Sequence, residues 1–153
     1  ASHWMRWSYS NRRAGRKRMT EQFERDWTVR FSDTDPFGIA HYPRIIDAIH
    51  ETSDIFMERI GFSFWSITEQ YGYGLPLVAM DFEFERPVSA GDTVQISLRP
   101  AVGTSSVEFH YEARHEGTVA FSGVETRVCA EEGGGSIEIP PDLREALAAY
   151  AEE

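Results

Sequence analysis

The chain of 153 residues has an apolar content of 41%, enough for one domain with a single buried core. No apolar run approaches the roughly 20 residues that span a bilayer, and the N-terminus lacks the apolar segment of a signal peptide. The single cysteine, Cys129, excludes an internal disulfide and a cysteine-rich metal site, and a protein of the reducing cytoplasm is expected.

Charge is distributed unevenly along the chain. Residues 1–18 carry five arginines, one lysine and no acid. From Met19 onward there are nine arginines, no lysine and 25 acids, a formal charge of 9 − 25 = −16. Such a surface repels nucleic acid and anionic membranes, so neither is expected as a partner. It resembles the halophilic surfaces of proteins from salt-loving archaea; the alternative is ordinary solubility in an arginine-preferring genome.

The first 20 residues are predicted to stand outside the folded domain. Their basic stretch, residues 11–18, lacks apolar periodicity, and the preceding ASHWM resembles a cloning scar. A tag remnant and an extended start are expected here, with Met19 as the natural first residue, in preference to a basic nucleic-acid-binding or localisation patch. Residues 21–153 are then predicted to form one domain.

A strand and a long helix are the first predicted elements. Residues 26–31, DWTVRF, alternate apolar and polar side chains as a strand does. Pro43 suits the first turn of a helix, and apolar side chains then recur near every 3.6 residues up to Ile60. Gly61 is expected to end this helix. A shorter helix is predicted within residues 63–72.

The remainder of the chain is predicted to be mainly strand. Alternating segments separated by turn residues predict strands at 76–88, 93–102, 107–117 and 118–131, and a proline pair opens a C-terminal helix at 140–153. One long helix with a strand-rich remainder predicts an α+β fold, in which an antiparallel sheet wraps around that helix. The open edge of such a sheet favours dimerisation.

One stretch carries a family resemblance: FSDTDPFGIAHYP, Phe31–Pro43, with the helix that follows it. It resembles the signature of hotdog-fold thioesterases, specifically the 4-hydroxybenzoyl-CoA thioesterase family. The later segments FERPVSAGDTVQI and VGTSSVEFHYE are similar to strand–turn–strand segments of that family. The resemblance implies a five-stranded antiparallel sheet around one central helix, hydrolysis of acyl-CoA, and active sites at the interface of a homodimer or homotetramer.

The same stretch contains the groups that thioester hydrolysis needs. The reaction requires a carboxylate or activated water near the carbonyl, and donors for the developing oxyanion. Asp35 supplies a carboxylate, and Gly38 has no Cβ, so a substrate can approach closely. The first N–H groups of the following helix lack internal partners, and their partial positive charge suits an oxyanion. From the residues alone, a turn or helix cap is the alternative interpretation of Asp35.

The family resemblance assigns roles to particular residues. In the family, the Asp of this motif acts as nucleophile or general base, and an amide at the helix start polarises the thioester carbonyl. Those roles fall on Asp35 and on the backbone N–H of Tyr42. His41, whose type departs from the family pattern, is expected to line the pocket or form a hydrogen bond. From the residues alone, Asp33 is expected to be solvated or to bond the loop, rather than to be catalytic.

Coenzyme A brings phosphates, which bind Arg, Lys or backbone N–H groups. Some family members have a basic run in the turn before the fourth strand, where this chain has uncharged GTSS. The hydroxyls and amides of Thr104, Ser105 and Ser106 are the expected substitutes, with Arg86 and Arg99 as cations near strand ends. No metal or redox cofactor is expected, since CoA enters as part of the substrate and water is the second reactant.

Several alternatives remain open at the level of sequence. Related hotdog enzymes of another branch place the catalytic carboxylate on the central helix, so Glu51 and Asp47 are the next candidates after Asp35. His50 lies among these acids, but a solvated helix face is favoured over a metal site. A non-catalytic acyl-CoA-binding protein is a competing function. An enoyl or hydroxyacyl thioester hydratase or dehydratase is disfavoured, because the Asp–His pair it needs is not matched by the position of His41.

Overall fold

A computed structural model of the chain describes residues 21–151, and the predicted tag remnant and basic extension at 1–20 lie outside them. The described residues form seven strands: β1 Phe23–Thr28, β2 Tyr73–Gly74, β3 Leu77–Phe84, β4 Thr93–Val102, β5 Ser106–His115, β6 Thr118–Val128 and β7 Ala130–Glu131. The α-helices of this part of the chain are α1 Tyr42–Arg59, α2 Phe64–Tyr71 and α3 Pro141–Ala148. Within residues 21–151, no helix has both the length and the apolar character to cross a membrane.

The main sheet is five-stranded and antiparallel throughout. Its strand order is β1-β4-β5-β6-β3, and the short strands β2 and β7 pair separately. β4, β5 and β6 are joined by tight hairpin turns, while the chain enters β3 only after α1 and α2. The predicted α+β fold, with five antiparallel strands and one long helix, is confirmed.

Helix α1 lies against one face of the sheet and supplies much of the core. Its buried apolar side chains recur at helical spacing and include Ile45, Ile49, Phe56 and Met57. The Phe56 ring makes edge-to-face contacts with two rings of the sheet, Phe23 at 5.4 Å and Phe109 at 5.9 Å between centroids. This packing fixes both the position of the helix and the direction in which its N-terminus points.

Some element boundaries differ from the sequence prediction. β1 begins at Phe23 and ends at Thr28, whereas a strand over residues 26–31 was expected. Residues Phe31–Asp33 instead form one 3₁₀ turn, because the Asp33 carboxylate accepts a hydrogen bond of 2.8 Å from the N–H of Arg30. The C-terminal helix begins at Pro141 and ends at Ala148, whereas a helix over residues 140–153 was expected.

The two edge strands of the main sheet have different character. β1 carries consecutive charged residues, Glu24 to Asp26, which oppose pairing with another strand. β3 is solvent-exposed at every residue except the half-buried Phe82. Its large apolar residues are unusually exposed. The solvent-exposed fraction is 42% for Leu77, 58% for Val78, 37% for Met80 and 50% for Phe84. The β3 edge is therefore largely apolar, although Asp81 and Glu83 also lie on it.

Gly123 allows β3 to lie close to β6. The two strands pair with Phe82 opposite Gly123, and a Cβ at residue 123 would collide with the Phe82 ring and the carbonyl oxygen of Asp81. The Phe82 ring occupies the space that a side chain would take and packs on Tyr111, with 5.7 Å between ring centroids.

Gly123→Ala should therefore displace β3 and lower the free energy of unfolding by about 1–3 kcal/mol, the usual cost of overpacking. Urea denaturation monitored by fluorescence measures the change. Gly135→Ala is the matched control, because nothing lies within 4 Å of a Cβ there. Equal stability of the two variants would contradict this account of the β3–β6 contact.

Candidate active site

The loop between β1 and α1 is closed by hydrogen bonds of its own backbone. Asp35 N–H donates to the carbonyl of Ile39 at 2.9 Å, and Gly38 N–H donates to the carbonyl of Asp35 at 2.9 Å. Gly38 has φ +79, a left-handed conformation that residues with a Cβ seldom adopt, and a Cβ there would meet open space. Glycine is thus needed for the turn, and the position is open to an approaching molecule.

Further contacts fix the loop to the segment after β3 and to α1. Ala40 N–H donates to the carbonyl of Val88 at 2.7 Å, and His41 N–H donates to the carbonyl of Asp33 at 2.8 Å. The Asp33 carboxylate also lies 3.8 Å from Nη1 of Arg44. Asp33 therefore bonds the loop, while the residues between it and His41 form the exposed tip.

The carboxylate of Asp35 is partly committed to the turn. Its Oδ1 accepts a hydrogen bond of 2.9 Å from Phe37 N–H, an Asx-turn interaction. In the part of the chain that the structure describes, no group donates to Oδ2 and no cation pairs with Asp35. The side chain is half-buried, so one oxygen is held in place and the other can meet a substrate or water.

Helix α1 begins with an unpaired backbone donor. The N–H groups of Arg44 and Ile45 both donate to the carbonyl of His41, at 2.9 and 3.3 Å, and Pro43 has no N–H. Among residues 21–151, nothing accepts a hydrogen bond from Tyr42 N–H, and the His41 side chain does not cap the helix. The Tyr42 amide is therefore a free donor at the positive end of α1.

A cavity of about 270 Å³ adjoins this helix start. Its lining comes from the loop, the first turn of α1 and the segment after β3: Ile39, Ala40, Tyr42, Ile45, Phe84, Glu85, Arg86, Pro87 and Val88. The walls are mostly apolar, and Arg86 brings a cation to them. The structure thus places the predicted residues Arg86 and Tyr42 together. His41, whose ring makes a tilted contact with Tyr42 at 5.5 Å, lies at the exposed rim.

The predicted phosphate-binding turn lies away from this cavity in the same chain. β4 runs from Thr93, beside the loop of Asp35, to Val102, beside the turn of Thr104 to Ser106. Ten residues of strand span about 30 Å, so the two ends are far apart. The structure does not bring Thr104, Ser105 and Ser106 to Asp35 of the same chain.

Arg144 of α3 is a cation at that turn which sequence reasoning missed. Its Nη2 donates to the carbonyls of Gly103 and Thr104, at 2.9 and 3.0 Å. A cavity of about 530 Å³ lies beside it, lined by Thr104, Glu138, Ile139, Pro140, Pro141 and Arg144. The arginine lies 38 residues or more along the chain from the turn, so no local pattern in the sequence indicates the contact.

A buried polar cluster between α1 and β6 was also missed. Glu125, which is 1% exposed, accepts a hydrogen bond of 2.6 Å from the hydroxyl of Tyr111. Burial, and then the negative charge of Glu125, raise the pKa of Tyr111 well above its ordinary value. Arg127 donates from Nη1 to the carbonyl of Leu75 at 2.9 Å, and its Nε lies 3.8 Å from Glu125.

The same cluster reaches the surface through His50, whose Nδ1 lies 3.4 Å from Nη2 of Arg127. Among the described side chains, Nε of Arg127 is the buried polar atom that has no hydrogen-bond partner. Two charged residues at alternate positions of one strand, Glu125 and Arg127, are the sequence signal of this cluster. No group of three or more His, Cys, Asp or Glu within residues 21–151 is arranged to hold a metal ion.

Comparison with known proteins adds family information to this geometry. The model of the thioesterase-like superfamily matches residues 29–147. A 1,4-dihydroxy-2-naphthoyl-CoA hydrolase of Nostoc punctiforme is 28% identical over 116 residues, which cover 75% of this chain and 78% of that protein. The hydrolase of the same name from Synechococcus sp. (strain CC9605) is 35% identical over 78 residues, covering 48% of this chain and 52% of that protein.

Solved structures resemble the fold over most of the chain. A 1,4-dihydroxy-2-naphthoyl-CoA thioesterase from Synechocystis aligns with a TM-score of 0.77 at 19% identity, covering 83% of this chain and 96% of that one. A gentisyl-coenzyme A thioesterase aligns with a TM-score of 0.71 at 27% identity, covering 80% of this chain and 99% of that one. The predicted hotdog thioesterase fold is confirmed by these likenesses.

Tyr111→Phe should lower the free energy of unfolding by about 1–3 kcal/mol, because it removes the hydroxyl donor from the buried Glu125 carboxylate. Denaturation in urea at neutral pH measures the loss. Tyr71→Phe is the control and should change stability by less than about 0.5 kcal/mol, since this tyrosine is 60% exposed. A Tyr111→Phe protein as stable as the control would mean that Glu125 does not depend on the hydroxyl.

Proposed function

The chain belongs to the thioesterase-like superfamily, and we propose that it hydrolyses acyl-CoA thioesters at the loop that precedes α1. Its relatives are named CoA hydrolases, and the chain is an acyl-CoA thioesterase. The observation that carries the site assignment is the unpaired N–H of Tyr42 at the start of α1, next to a loop in which Asp35 has one oxygen uncommitted.

Asp35 and the Tyr42 amide have complementary roles in this mechanism. The Tyr42 N–H donates to the thioester oxygen and stabilises the negative charge that develops there. Asp35 then acts in one of two ways. As a nucleophile, its carboxylate attacks the carbonyl carbon and CoA leaves as a thiolate, after which water hydrolyses the mixed anhydride. As a general base, it takes a proton from water, which attacks directly.

Gly38, His41 and the apolar cavity define the proposed place of the acyl group. The open surface at Gly38 lets the thioester approach the loop tip, and His41 borders the entrance. The acyl group then lies against Ile45 and Phe84. The names of the relatives, which act on 1,4-dihydroxy-2-naphthoyl-CoA and gentisyl-CoA, support an aromatic acyl group.

A homodimer, alone or within a homotetramer, is proposed as the active form. The exposed, largely apolar edge of β3 is better suited to pairing with the same strand of a second copy than β1, which carries three consecutive charged residues. A two-fold axis makes the paired strands antiparallel, so the Leu77 end of one β3 lies beside the Phe84 end of the other. The site of one protomer is then bordered by its partner.

This dimer also supports a place for coenzyme A. The turn of Thr104, Ser105 and Ser106 lies at the Leu77 end of the sheet, because its strands pair in register with β6 and β3. Antiparallel pairing brings that end of the partner subunit toward the cavity of Tyr42 and Arg86. Hydroxyls and amides of the turn, with Arg144 and Arg86, are the proposed contacts of the phosphates.

The proposed reaction uses water as second substrate and no resident cofactor, since a carboxylate and an amide donor supply the catalytic groups. We also propose cytoplasmic activity at high salt. The supporting observation is the lysine-free acidic composition from Met19 onward, whose self-repulsion is screened by concentrated ions.

Asp35→Asn should reduce kcat for an acyl-CoA by about 100-fold or more, because the amide is neither a nucleophile nor a base at neutral pH. Release of free thiol from a panel of aromatic and aliphatic acyl-CoAs, assayed at low and multimolar KCl, measures the effect. Asp142→Asn on α3 is the charge-matched control and should keep wild-type kcat. If Asp35→Asn is fully active while Glu51→Gln is inactive, the catalytic carboxylate belongs to the helix instead.

Val78→Asp should dissociate the proposed dimer. Each buried carboxylate costs several kcal/mol, so the dissociation constant should rise at least about 100-fold. Sedimentation equilibrium measures the change, and activity should fall as monomer accumulates. Glu24→Lys on β1 alters charge at the opposite edge and should leave the dimer intact. Dissociation by Glu24→Lys but not by Val78→Asp would show that the interface lies at β1, and the proposed β3 interface would be wrong.

A further inference from the structure

The loop before α1 is a short hairpin with two arms. Residues 33–35 run antiparallel to residues 39–41, with a bridge between Thr34 and Ala40. Backbone hydrogen bonds of 2.9 and 2.8 Å lie on either side of this bridge. The first arm carries Asp35, and the second arm continues directly into α1. The two groups of the proposed mechanism, the carboxylate and the helix amide, therefore belong to different arms.

The second arm is held by contacts that do not involve the first. Its Ala40 N–H donates to the carbonyl of Val88 at 2.7 Å, in the segment after β3. The helix that follows is held by the core, in which Ile49 and Phe56 are fully buried. Since the Tyr42 N–H belongs to the first turn of that helix, its position is set by the second arm and the core together.

Asp33 attaches the first arm to its surroundings. Its carboxylate oxygen Oδ2 accepts a hydrogen bond of 2.8 Å from the N–H of Arg30, where the chain leaves β1. Its carbonyl accepts the N–H of His41 at 2.8 Å, and its Oδ1 lies 3.8 Å from Nη1 of Arg44 in the first turn of α1. The Asp33 side chain is only 13% exposed. One residue thus connects the exit from β1, the second arm and α1.

Loss of the Asp33 carboxylate would move one group of the proposed mechanism and not the other. The Thr34 hydroxyl bonds a carbonyl of the same 3₁₀ turn, which would move with the first arm. Without the carboxylate, the backbone N–H that it held turns to water, and the arm is free to shift relative to α1. Asp35 shifts with the arm, whereas Tyr42 stays with the helix. A displacement of about 1 Å between reacting groups lowers a rate by up to about 100-fold.

We propose that Asp33 is a positioning residue of the thioesterase: its carboxylate holds the first arm against α1 and thereby sets the position of Asp35 relative to the Tyr42 N–H. This inference rests on the proposed thioesterase function. The Asp33 carboxylate is directed to the base of the hairpin and is largely buried, so it does not touch the substrate. Its effect on the reaction passes through Asp35.

The hydrogen bond of Asp33, rather than its charge, holds the arm. The bond to the N–H of Arg30 is short, whereas the contact with Arg44 spans 3.8 Å and the arginine side chain is 49% exposed. So exposed an ion pair is screened by water and salt. An asparagine retains an oxygen for the same N–H and is a good cap residue. A glutamate retains the charge but carries its oxygens one methylene farther from the backbone.

The first experiment compares substitutions of Asp33 by release of free thiol, both from benzoyl-CoA and from the acyl-CoA of the panel that the wild type hydrolyses fastest. Asp33→Ala should lower kcat about tenfold or more and change KM less than about twofold, because the binding surface is untouched. Asp33→Asn should retain at least about one third of the wild-type kcat, since it retains the acceptor. Asp33→Glu should fall between the other two variants.

Thr28→Val is the control for an effect of stability alone. It removes a side-chain hydrogen bond of 2.8 Å to the hydroxyl of Thr93, at the end of β1 and outside the hairpin. It should keep the wild-type kcat. Urea denaturation of each variant shows that it is folded and compares its loss of stability with that of Asp33→Ala.

The second experiment asks whether Asp33 acts through Asp35. Asp33→Ala is introduced into the Asp35→Asn protein, whose residual hydrolysis depends on the Tyr42 N–H and not on a carboxylate at residue 35. Nothing is left there for Asp33 to position, so the residual kcat should change less than about twofold. A merely structural role would lower kcat by the same factor in both backgrounds.

Each contrary result overturns the proposal in a recognisable way. Wild-type kcat in a folded Asp33→Ala protein would show that the first arm does not depend on Asp33. An Asp33→Asn protein as impaired as Asp35→Asn would make Asp33 a catalytic carboxylate, and equal losses in both backgrounds would make it structural. If Asp33→Ala does not fold, a higher kcat for Asp33→Glu than for Asp33→Asn would overturn the role of the hydrogen bond. Full activity of Asp35→Asn would instead overturn the proposed catalytic residue, which is a separate failure.

Discussion

Burial of the apolar face of α1 against the five-stranded sheet is the constraint on which the other features depend. Phe56, in contact with Phe23 and Phe109, fixes the helix axis against strands that are far apart in sequence. Once the axis is fixed, the first turn of the helix has only one place to begin, beside Val88 and the end of β3. Packing of the hydrophobic core therefore sets the direction of the free N–H of Tyr42. The loop of Asp35 is held beside it by hydrogen bonds to the neighbouring segment.

The core also contains two charged side chains, Glu125 and Arg127, and a contribution to stability does not explain why they are buried. An ion pair buried among apolar residues generally contributes little or nothing to the free energy of unfolding, because desolvation opposes the attraction. Glu125 and Arg127 are nevertheless almost inaccessible to solvent, and Nε of Arg127 has no hydrogen-bond partner among the described residues. A cluster of this kind is better understood as orienting His50, which is the one member that reaches the surface.

Sequence patterns predicted elements well where one physical signal dominates. The amphipathic periodicity before Gly61 gave α1 to within a residue of its start, because burial on one side of a long helix leaves a strong repeat. The end of β1 was harder, since Phe31 continues the alternation of Trp27 and Val29. There the local hydrogen bond from Arg30 N–H to the Asp33 carboxylate outweighs the strand pattern.

Other features depend on register and tertiary contact, which alternation alone does not specify. The segment VETRV reads as a strand with polar residues facing solvent, yet Glu125 and Arg127 face α1. Period two shows that these residues share a face, and only the pairing of Glu125 with Phe109 decides that the face is the buried one. The contact of Arg144 with the turn at Gly103 is likewise set by where α3 docks.

The exposed edge of β3 links these observations to function. A monomer would leave a largely apolar strand edge unpaired, with Phe84 at one end beside the loop of Asp35 and Leu77 at the other beside the buried Arg127. Pairing that edge with a second copy removes the unpaired backbone groups and the apolar surface in one step. In the proposed dimer the paired strands run in opposite directions, so the proposed site at the Phe84 end of each protomer lies beside the Leu77 end of the other. The proposed dimer and the proposed active site therefore depend on the same strand edge.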